Sequence, residues 1–499
     1  MSKARAKAPA VGFRGPTTLG LMMATFMSFL DTTVVNVALP HMQGSLSASA
    51  EQATWVITSY MVTTAVMLPL SGWLAARLGT KATILWAVAG FTFSSMLCGI
   101  AADLPQAVGF RMLQGAASAP LAPLCQAVLL NITPPSRHGR AMALFMMGNV
   151  VAPVLGPVVG GWLTENYSWR WCFYINLPVG ICALLLLLAF MPREAPAPRR
   201  FDFLGFGSLG LGVAALQLML DRGPTLDWFG SREIWVEATL AAAALWVFVT
   251  HSLTAKQPLF PPALARDRNL VSAVTFVFFF NTTFYAGVTV LPLMMQGVMG
   301  YSPLLSGMIS MPRGLLMLFA VVLVGRLDAT VDRRLLVGVG QILCLLGYWQ
   351  MTSFDLSMSP EQIMASSLLQ GLGQAFVFVP IATLSFATID PALRADAATA
   401  SNLLRNVGGT IGIAALQGMT AFNGQTMHAS LAEHVTRPNA AELALSQPAL
   451  GLDVVRQLDV LNAEITRQAT MVAYVDAFWA MLVVGFVCTP LLFFLRARR

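Results

Sequence analysis

Apolar runs about as long as a bilayer is thick recur along the whole chain, and they constrain the fold more than any other feature. About 20 residues of helix cross the hydrocarbon core, and a helix satisfies its own backbone hydrogen bonds where water is absent. Only 11% of the residues are charged, whereas soluble domains carry about 25%. The sequence therefore predicts an all-α polytopic membrane protein.

Fourteen of these runs are predicted to be transmembrane helices. They lie at 17–39, 54–74, 83–101, 106–130, 141–163, 171–190, 203–220, 234–253, 271–296, 304–325, 335–353, 361–388, 398–423 and 472–495. Lys and Arg concentrate in the tails and loops on one side of this arrangement, as is typical of cytoplasmic segments. We therefore expect both termini, including the tail at 1–16, to face the cytoplasm. The polar, partly helical segment 424–470 is then external or periplasmic.

The two halves of the chain echo each other. Residues 113–115 and 369–371 both read LQG, and "GNVVAPVLG" at 148–156 is answered by "RNVGGTIG" at 405–412. The members of each pair are separated by nearly the same number of residues. This offset maps the first six spans onto the last six and leaves the seventh and eighth as an insert. Two parallel halves with a site between them near the midplane are typical of rocking transporters. The repeat therefore predicts a function as well as a fold.

The predicted domain organisation follows from this repeat. A six-helix bundle occupies 17–191, and two inserted helices occupy 200–255. The second bundle comprises five helices within 268–423 and the last helix within 471–499, which ends in a cytoplasmic tail. The excess of 30 basic over 23 acidic residues is explained by the cytoplasmic loops, so no nucleic-acid partner is predicted.

Two opposite charges lie within the predicted spans of the first half. An aspartate near the centre of a span costs about 2.5–3.5 kcal/mol on insertion scales, and Asp31 lies nine residues before Pro40 on span 1. Arg111 lies six residues after Pro105 on span 4. The two residues are therefore about 13 Å and 9 Å from the same membrane face, and we expect them to meet. They form either a proton-coupling pair, since a cation and desolvation have opposite effects on the ionisation of a carboxyl group, or a structural pair that fixes helix packing.

Small residues and prolines are concentrated in span 5. Small residues four apart let another helix approach closely, and prolines bend helices. The predicted gating residues are Gly148, Pro153, Gly156, Pro157, Gly160 and Gly161. A hinge that seals the outer side and ordinary small-residue packing are both consistent with this stretch.

Two further arginines, Arg313 and Arg405, lie deep within spans of the second half, and no acidic residue within those spans is placed to pair with them. Arginines in a cavity favour acidic amphiphiles, which predicts a preference for weakly acidic, hydrophobic substrates. Binding of both arginines to backbone carbonyls is the alternative. Further candidate cavity residues are Tyr60, Gln114, Asn149, Gln296, Gln374 and Asn402. Each of these could equally form an interhelical hydrogen bond.

The loop after span 2 reads "GWLAARLGTK" at 72–81. Gly72 and Gly79 allow a tight reversal, and Arg77 and Lys81 are expected to hold the loop at the cytoplasmic face. The sequence contains neither a Cys/His cluster nor a phosphate-binding G-x-x-x-x-G-K-[ST] motif. No metal or other cofactor is therefore expected, and a proton gradient is the expected source of energy.

Four stretches resemble one family. "LDTTVVNVALP" at 30–40 and "FRMLQGAASAP" at 110–120 are similar to signatures of spans 1 and 4 in the fourteen-span drug:proton antiporters of the major facilitator superfamily. "GNVVAPVLGPVVGGWL" at 148–163 resembles the antiporter motif of span 5, and "DRGPTLDWFGS" at 221–231 resembles the stretch after span 7 in EmrB-type multidrug exporters. The resemblance implies the major facilitator fold, with two six-helix bundles plus two inserted helices.

The resemblance also implies a function. EmrB-type exporters are proton-coupled multidrug efflux antiporters of the bacterial inner membrane, and they act by alternating access on hydrophobic compounds. They work with a periplasmic adaptor, an EmrA-type membrane fusion protein, and an outer-membrane channel, so residues 424–470 are a candidate adaptor contact. The acid that is usual in the loop after span 2 is replaced by Ala76, so a charge lock at that position is not expected.

Two alternatives to an exporter stay open at this point. One is a proton-coupled uptake symporter on the same fold, which the span-5 signature disfavours. The other is a membrane-embedded lipid-modifying enzyme. The five histidines are scattered at loops and helix ends, with no spacing that suggests an acid–base pair, so no enzymatic activity is predicted.

Overall fold

The structure is a computed structural model, and it describes residues 15–134, 137–193, 200–328, 330–434 and 454–495. This part of the chain consists of helices and short connections, without a β-strand. Residues 1–14 of the predicted tail and residues 435–453 of the predicted external segment lie outside the described residues.

Eighteen α-helices are described in chain order. The first nine are α1 (Gly15–Ser45), α2 (Ala50–Met67), α3 (Leu70–Leu78), α4 (Thr80–Ile100), α5 (Leu104–Ser118), α6 (Leu121–Ile132), α7 (His138–Asn166), α8 (Trp171–Tyr174) and α9 (Asn176–Phe190). The second nine are α10 (Phe203–Arg222), α11 (Arg232–Thr254), α12 (Pro262–Arg266), α13 (Arg268–Gly297), α14 (Pro303–Leu327), α15 (Arg333–Met351), α16 (Pro360–Ser385), α17 (Arg394–Glu433) and α18 (Val454–Cys488).

The described chain divides into two compact units. The first unit contains the residues up to Phe206 together with Pro391–Thr399, and the second contains Gly207–Asp390 and the residues from Ala400 onward. The inserted helix α11 and most of α10 therefore group with the second half of the chain. The first turns of α17 group with the first half.

Each predicted span falls on one helix or on two consecutive helices. Within the described residues, ten helices are long and apolar enough to cross a bilayer, or eleven when α2 and α3 are counted as one bent span. These helices are consistent with the predicted total of fourteen spans, which stays a prediction.

Two spans that the sequence predicted as continuous helices are interrupted at prolines. The predicted span 54–74 is bent by 58° between Gln52–Met67 and Leu70–Leu78, with Pro69 directly before α3. The predicted span 106–130 is divided into α5 and α6 at Pro120. A proline cannot donate a backbone hydrogen bond and clashes with the preceding turn, which explains both interruptions.

Capping side chains fix the starts of helices that carry functional residues. Asp103 accepts a hydrogen bond from the backbone N–H of Gln106 at the start of α5. Asp267 accepts one from the backbone N–H of Leu270 at the start of α13. Because the first N–H groups of a helix have no intrahelical acceptor, such caps define where a helix begins.

The reversal predicted for residues 72–81 is present at Gly79 only, because Gly72 and the residues up to Leu78 belong to helix α3. Gly79 ends α3 with a positive φ of 89°, which a residue without a Cβ adopts readily. The Arg77 guanidinium lies over the Trp73 ring, 5.3 Å from its centroid. Lys81 Nζ donates to the carbonyl oxygens of Leu188 and Met191 at 2.8 Å and 2.6 Å. Lys81 thus neutralises the free carbonyl end of α9.

The predicted external segment 424–470 is largely helical where it is described. Helix α17 continues to Glu433, and α18 begins at Val454 and runs without a break into the last span. His428 Nε2 and Asn462 Oδ1 lie 3.0 Å apart between the two helices. The boundary predicted at residue 471 therefore falls inside one continuous helix.

Candidate functional site

Asp31 and Arg111 form a buried ion pair in the first unit. Arg111 Nη1 donates to Asp31 Oδ2 at 2.5 Å, and each residue is only 1% exposed. Asp31 lies in the middle of α1 and Arg111 in the middle of α5. The contact expected from the sequence is therefore present, and its role in proton coupling stays a prediction.

Two amide side chains complete the coordination of the Asp31 carboxylate. Gln114 Nε2 and Asn176 Nδ2 each donate to Asp31 Oδ1 at 2.9 Å. Gln114 Oε1 accepts from Arg111 Nη1 at 2.7 Å, so one amide bridges both ions. Arg111 Nε donates to the carbonyl oxygen of Val56 at 3.0 Å. Each carboxylate oxygen thus receives at least one donor, as a buried charge requires.

An aromatic ring and two hydroxyls lie next to this ion pair. The Arg111 guanidinium is 4.1 Å from the centroid of the Tyr60 ring, a distance at which the ring attracts the cation. Tyr60 Oη donates to Ser118 Oγ at 2.7 Å, and Ser118 Oγ lies 2.6 Å from Ser28 Oγ. Tyr60 and Gln114, which the sequence offered as candidate cavity residues, are thus placed around Asp31 and Arg111 and are 3% and 0% exposed.

Sequence reasoning did not select Asn176 or the serine that supports it. Asn176 is 1% exposed, and its Nδ2 donates to Ser95 Oγ at 3.0 Å as well as to Asp31. Ser95 Oγ in turn donates to the carbonyl oxygen of Phe173 at 2.9 Å. The signal was a single amide residue inside the apolar stretch "FYINLPVGI".

Helix α7 packs closely against α1 beside Asp31. It runs as one α-helix from His138 to Asn166. A Cβ added at Gly156 would overlap Thr33 Oγ1, and one added at Gly160 would lie 3.1 Å from the Val34 carbonyl oxygen. The close approach expected of span 5 is therefore present, whereas Gly148 and Gly161 have looser surroundings. The gating role stays a prediction, and the side chains of Pro153, Pro157 and Asn149 lie outside the described part.

Arg313 and Arg405 lie on α14 and α17 of the second unit, and no acidic side chain in the described chain forms an ion pair with either. The Arg313 guanidinium lies over the Phe284 ring, 5.8 Å from its centroid. Its Nη2 has no hydrogen-bond partner among the described residues. Arg405 Nη2 donates to Asn402 Oδ1 one turn earlier on the same helix. These cations thus lack the counter-charge that Arg111 has.

The remaining candidate cavity residues have different surroundings. Gln374 on α16 is fully buried, and neither of its amide atoms has a partner among the described residues. Gln296 is exposed near the end of α13. Asn402 is 3% exposed and accepts from Arg405. Of these residues, Gln374 is the one whose buried amide atoms both lack a partner among the described residues.

The sequence repeat is visible in the packing of each unit by itself. In the first unit, a Cβ added at Gly115 on α5 would lie 2.6 Å from the Tyr60 carbonyl oxygen on α2. In the second unit, a Cβ added at Gly371 on α16 would lie 2.5 Å from the Arg313 carbonyl oxygen on α14. The glycine of each LQG motif therefore permits the same kind of helix contact in both halves.

Comparisons with known proteins agree with this architecture. The sequence profile described as Major Facilitator Superfamily matches residues 21–413. The multidrug export protein EmrB of Escherichia coli K12 is 33% identical over 96% of this chain and 94% of its own length. The fatty acid resistance protein FarB of Neisseria gonorrhoeae is 35% identical over 95% of this chain and 94% of its own length. Among solved structures, the human organic anion transporter MFSD10 aligns with a TM-score of 0.64 over 96% of this chain and 100% of that chain, at 13% identity, which shows a shared fold.

Proposed function

The chain belongs to the Major Facilitator Superfamily, a family of membrane transporters, and we propose that it is a proton-coupled antiporter that exports hydrophobic, weakly acidic compounds. The observation that carries the proposal is the buried, hydrogen-bonded ion pair of Asp31 and Arg111. An ionisable residue within a membrane span is costly and usually functional. Here it lies on the span-1 motif that resembles the drug:proton antiporters.

The geometry supports a protonation switch at Asp31. The described donors to this carboxylate belong to Arg111, Gln114 and Asn176. A proton on Asp31 removes the counter-charge of Arg111, and a buried cation without a partner is strongly destabilising. Protonation therefore favours a different conformation of the first unit, and α7, which packs against α1 at Thr33 and Val34, is placed to respond. A ligand or proton shifts such an equilibrium by its differential affinity for the two states.

The substrate class rests on the second unit. Arg313 and Arg405 lack an acidic partner within the described chain, so an anionic group on the substrate would supply one. The relatives named as a multidrug exporter and a fatty acid resistance protein agree with export of hydrophobic compounds. They do not favour an uptake symporter or a lipid-modifying enzyme.

The setting proposed for this activity follows the EmrB-type relatives. We place the protein in the bacterial inner membrane with both termini in the cytoplasm, as the distribution of basic loop residues indicates. A periplasmic adaptor of the EmrA type and an outer-membrane channel are the proposed partners. The candidate adaptor contact is the segment 424–470, whose described parts are helical at 424–433 and 454–470.

Proton flux in proteoliposomes tests the proposal. Wild type and Asp31→Asn are reconstituted with an internal pH-sensitive dye, a pH gradient is imposed, and an acidic lipophilic probe is added. We expect probe-induced proton flux in wild type and a loss of at least tenfold in Asp31→Asn, because the asparagine amide does not ionise and so cannot bind and release a proton. Asp103→Asn is the matched control, since Asp103 is an exposed helix cap and asparagine caps equally well. Flux that survives in Asp31→Asn would make the ion pair structural.

A further inference from the structure

Three polar side chains form a buried stripe on one face of α16. Ser367, Gln370 and Gln374 follow at helical spacing, and they are 0%, 1% and 0% exposed. Ser367 Oγ, Gln370 Oε1 and both amide atoms of Gln374 have no hydrogen-bond partner among the described residues. Buried polar atoms are nearly always paired, and leaving them unpaired is unfavourable. The stripe therefore requires a ligand or water.

The repeat explains why these atoms lack partners. At the offset that relates the two LQG motifs, Asp31 corresponds to Gly287 and Arg111 corresponds to Ser367. A Cβ added at Gly287 would lie 3.7 Å from Gln370 Oε1, so the second unit retains the amide and lacks the carboxylate that the first unit places beside it. The ion pair of the first unit is thus missing from the second.

A cation from another helix stands next to this stripe. A Cβ added at Gly371, between Gln370 and Gln374, would lie 3.0 Å from Arg313 Cγ. Arg313 Nη2 has no described partner. The titratable groups that interact with Arg313 electrostatically are Tyr348 and Cys344, neither of which carries a carboxylate. Within the described residues, the positive charge at the stripe therefore has no carboxylate as a counter-ion.

Aromatic rings continue the stripe towards the end of α16. Phe378 follows Gln374 by one turn, and its ring lies 5.3 Å from those of Phe280 and Phe284 on α13. The Arg313 guanidinium lies over Phe284. An aromatic surface therefore adjoins the cation and the amides, and it suits the apolar body of an amphiphile.

The unpaired atoms include both donors and acceptors, so a matching ligand needs more than an anionic group. Arg313 Nη2, Gln374 Nε2 and Ser367 Oγ can donate hydrogen bonds, which suits a carboxylate. Gln370 Oε1 and Gln374 Oε1 can only accept, and a simple carboxylate offers them nothing. A ligand that satisfies both sets carries an ionised carboxyl group and, separately, a hydroxyl or N–H donor.

We propose that the second unit contains a binding site for hydroxylated aromatic carboxylates, formed by Arg313, Ser367, Gln370 and Gln374 beside the rings of Phe284 and Phe378. This inference rests on the proposed function, because the ligands of the site are the acids that the protein is proposed to export. It adds that the substrate binds as the anion and that a second donor on the substrate determines selectivity. The carboxylate is the counter-ion of Arg313, so this site is separate from the protonation site at Asp31.

Calorimetric titration of the full-length protein in lipid nanodiscs at pH 7.5 tests the site without requiring transport. The ligands are benzoate, 3-hydroxybenzoate and 3-methoxybenzoate, since a 3-hydroxyl group cannot bond to its own carboxylate. We expect 3-hydroxybenzoate to bind wild type about threefold to tenfold tighter than the other two, as one additional hydrogen bond allows. The double variant Gln370→Leu/Gln374→Leu removes both acceptors and should abolish this preference, Ser367→Ala should weaken all three ligands, and the exposed Gln350→Leu should bind like wild type. Arg313→Gln should weaken all three ligands at least tenfold.

Equal binding of benzoate and 3-hydroxybenzoate to wild type, or a preference that survives in Gln370→Leu/Gln374→Leu, would overturn the inference and assign the stripe to bound water. Absence of carboxylate binding together with proton-coupled export of other drugs would also overturn it, and would leave the proposed export activity intact. The expected binding pattern without any proton-coupled flux would instead support the site and contradict the proposed function.

Discussion

The two units surround a buried arginine with different partners. In the first unit, Arg111 has an acidic partner, a bridging amide and a backbone carbonyl. In the second unit, Arg313 has an aromatic ring on one side and no acid within the described chain. The glutamines of the two LQG motifs show the same contrast, because both amide atoms of Gln114 have partners and Gln370 Oε1 has none among the described residues. The first centre is complete without a ligand, and the second is not.

Under the proposed function, this difference corresponds to a division of labour between the two halves of the sequence repeat. A complete network with one titratable carboxylate can change its charge by one proton, which suits coupling. An incomplete network with a fixed cation can gain a counter-ion only from outside, which suits recognition of an anion. The contacts at Gly115 and Gly371 show that the helix packing around both centres has been retained, while the charges have diverged.

The largest expected effect is the difference in stability between the two variants that each remove one arginine. Arg111→Leu leaves Asp31 as an unpaired buried charge, and we expect a loss of about 3–5 kcal/mol in the free energy of unfolding. Arg313→Leu removes a cation that has no counter-charge, and we expect the variant to be at least as stable as wild type. Thermal unfolding of both variants in the same detergent, followed by intrinsic fluorescence, measures the difference.

The double variant Asp31→Asn/Arg111→Leu is the control for this comparison. It removes both charges, and we expect it to recover much of the stability that Arg111→Leu loses, since the cost arises from the charge left behind. Similar losses for Arg111→Leu and Arg313→Leu would contradict the contrast between the two centres. They would indicate that Arg313 has a partner of its own.

A smaller effect is expected where helices approach each other through glycine. Gly156→Ala and Gly412→Ala each insert a methyl group into a tight contact, and we expect each to cost about 1–3 kcal/mol. At Gly156 the nearest atom is the Thr33 hydroxyl, whereas at Gly412 the nearest atoms belong to the Thr282 backbone. Thr33→Ala should therefore recover part of the loss in Gly156→Ala, and Thr282→Ala should recover none in Gly412→Ala.

Unfolding midpoints of the four single and two double variants provide this test. Thr33→Ala and Thr282→Ala alone serve as controls for the loss of each hydroxyl. If both double variants recover equally, the contact at Gly412 is not limited by backbone atoms. If neither recovers, the Thr33 Cβ, which stays 2.6 Å from the added methyl group, dominates the contact at Gly156.

The sequence was sufficient for the class of fold and for one centre of the site. Length and hydropathy located the helices, because a bilayer imposes both, and two isolated charges at similar depth predicted the contact of Asp31 with Arg111. Asn176 was missed because a single amide within an apolar span forms an ordinary interhelical hydrogen bond as readily as it forms part of a functional site. The bend at Pro69 and the break at Pro120 were missed because hydropathy is insensitive to helix direction. The stripe on α16 was not predicted because its atoms are recognised as unpaired only when the positions of the neighbouring side chains are known.

The smallest expected effect concerns the end of α14, where the second unit carries a charge that the first unit lacks. Asp328 accepts hydrogen bonds from Arg333 Nε and Thr383 Oγ1, both at 3.1 Å, while the corresponding segment of the first half, residues 72–81, contains no acidic residue. Burial raises the pKa of Asp328 above its usual value, and Arg333 opposes this only in part. A carboxyl group whose pKa is raised on folding contributes stability that is complete below its unfolded pKa of about 4 and is lost as the pH rises through its folded pKa.

The asparagine side chain in Asp328→Asn stays neutral at every pH tested. This variant should therefore lack the loss of stability with rising pH that Asp328 causes. We expect the unfolding midpoint of wild type to fall relative to that of Asp328→Asn as the pH rises from about 4 to 7. Asp332→Asn, at the exposed cap of α15, is the matched control and should follow wild type. Parallel curves for wild type and Asp328→Asn would mean that Arg333 fully compensates the buried charge. The loop of the second unit would then hold its acid as a true ion pair, as the first unit does at Asp31.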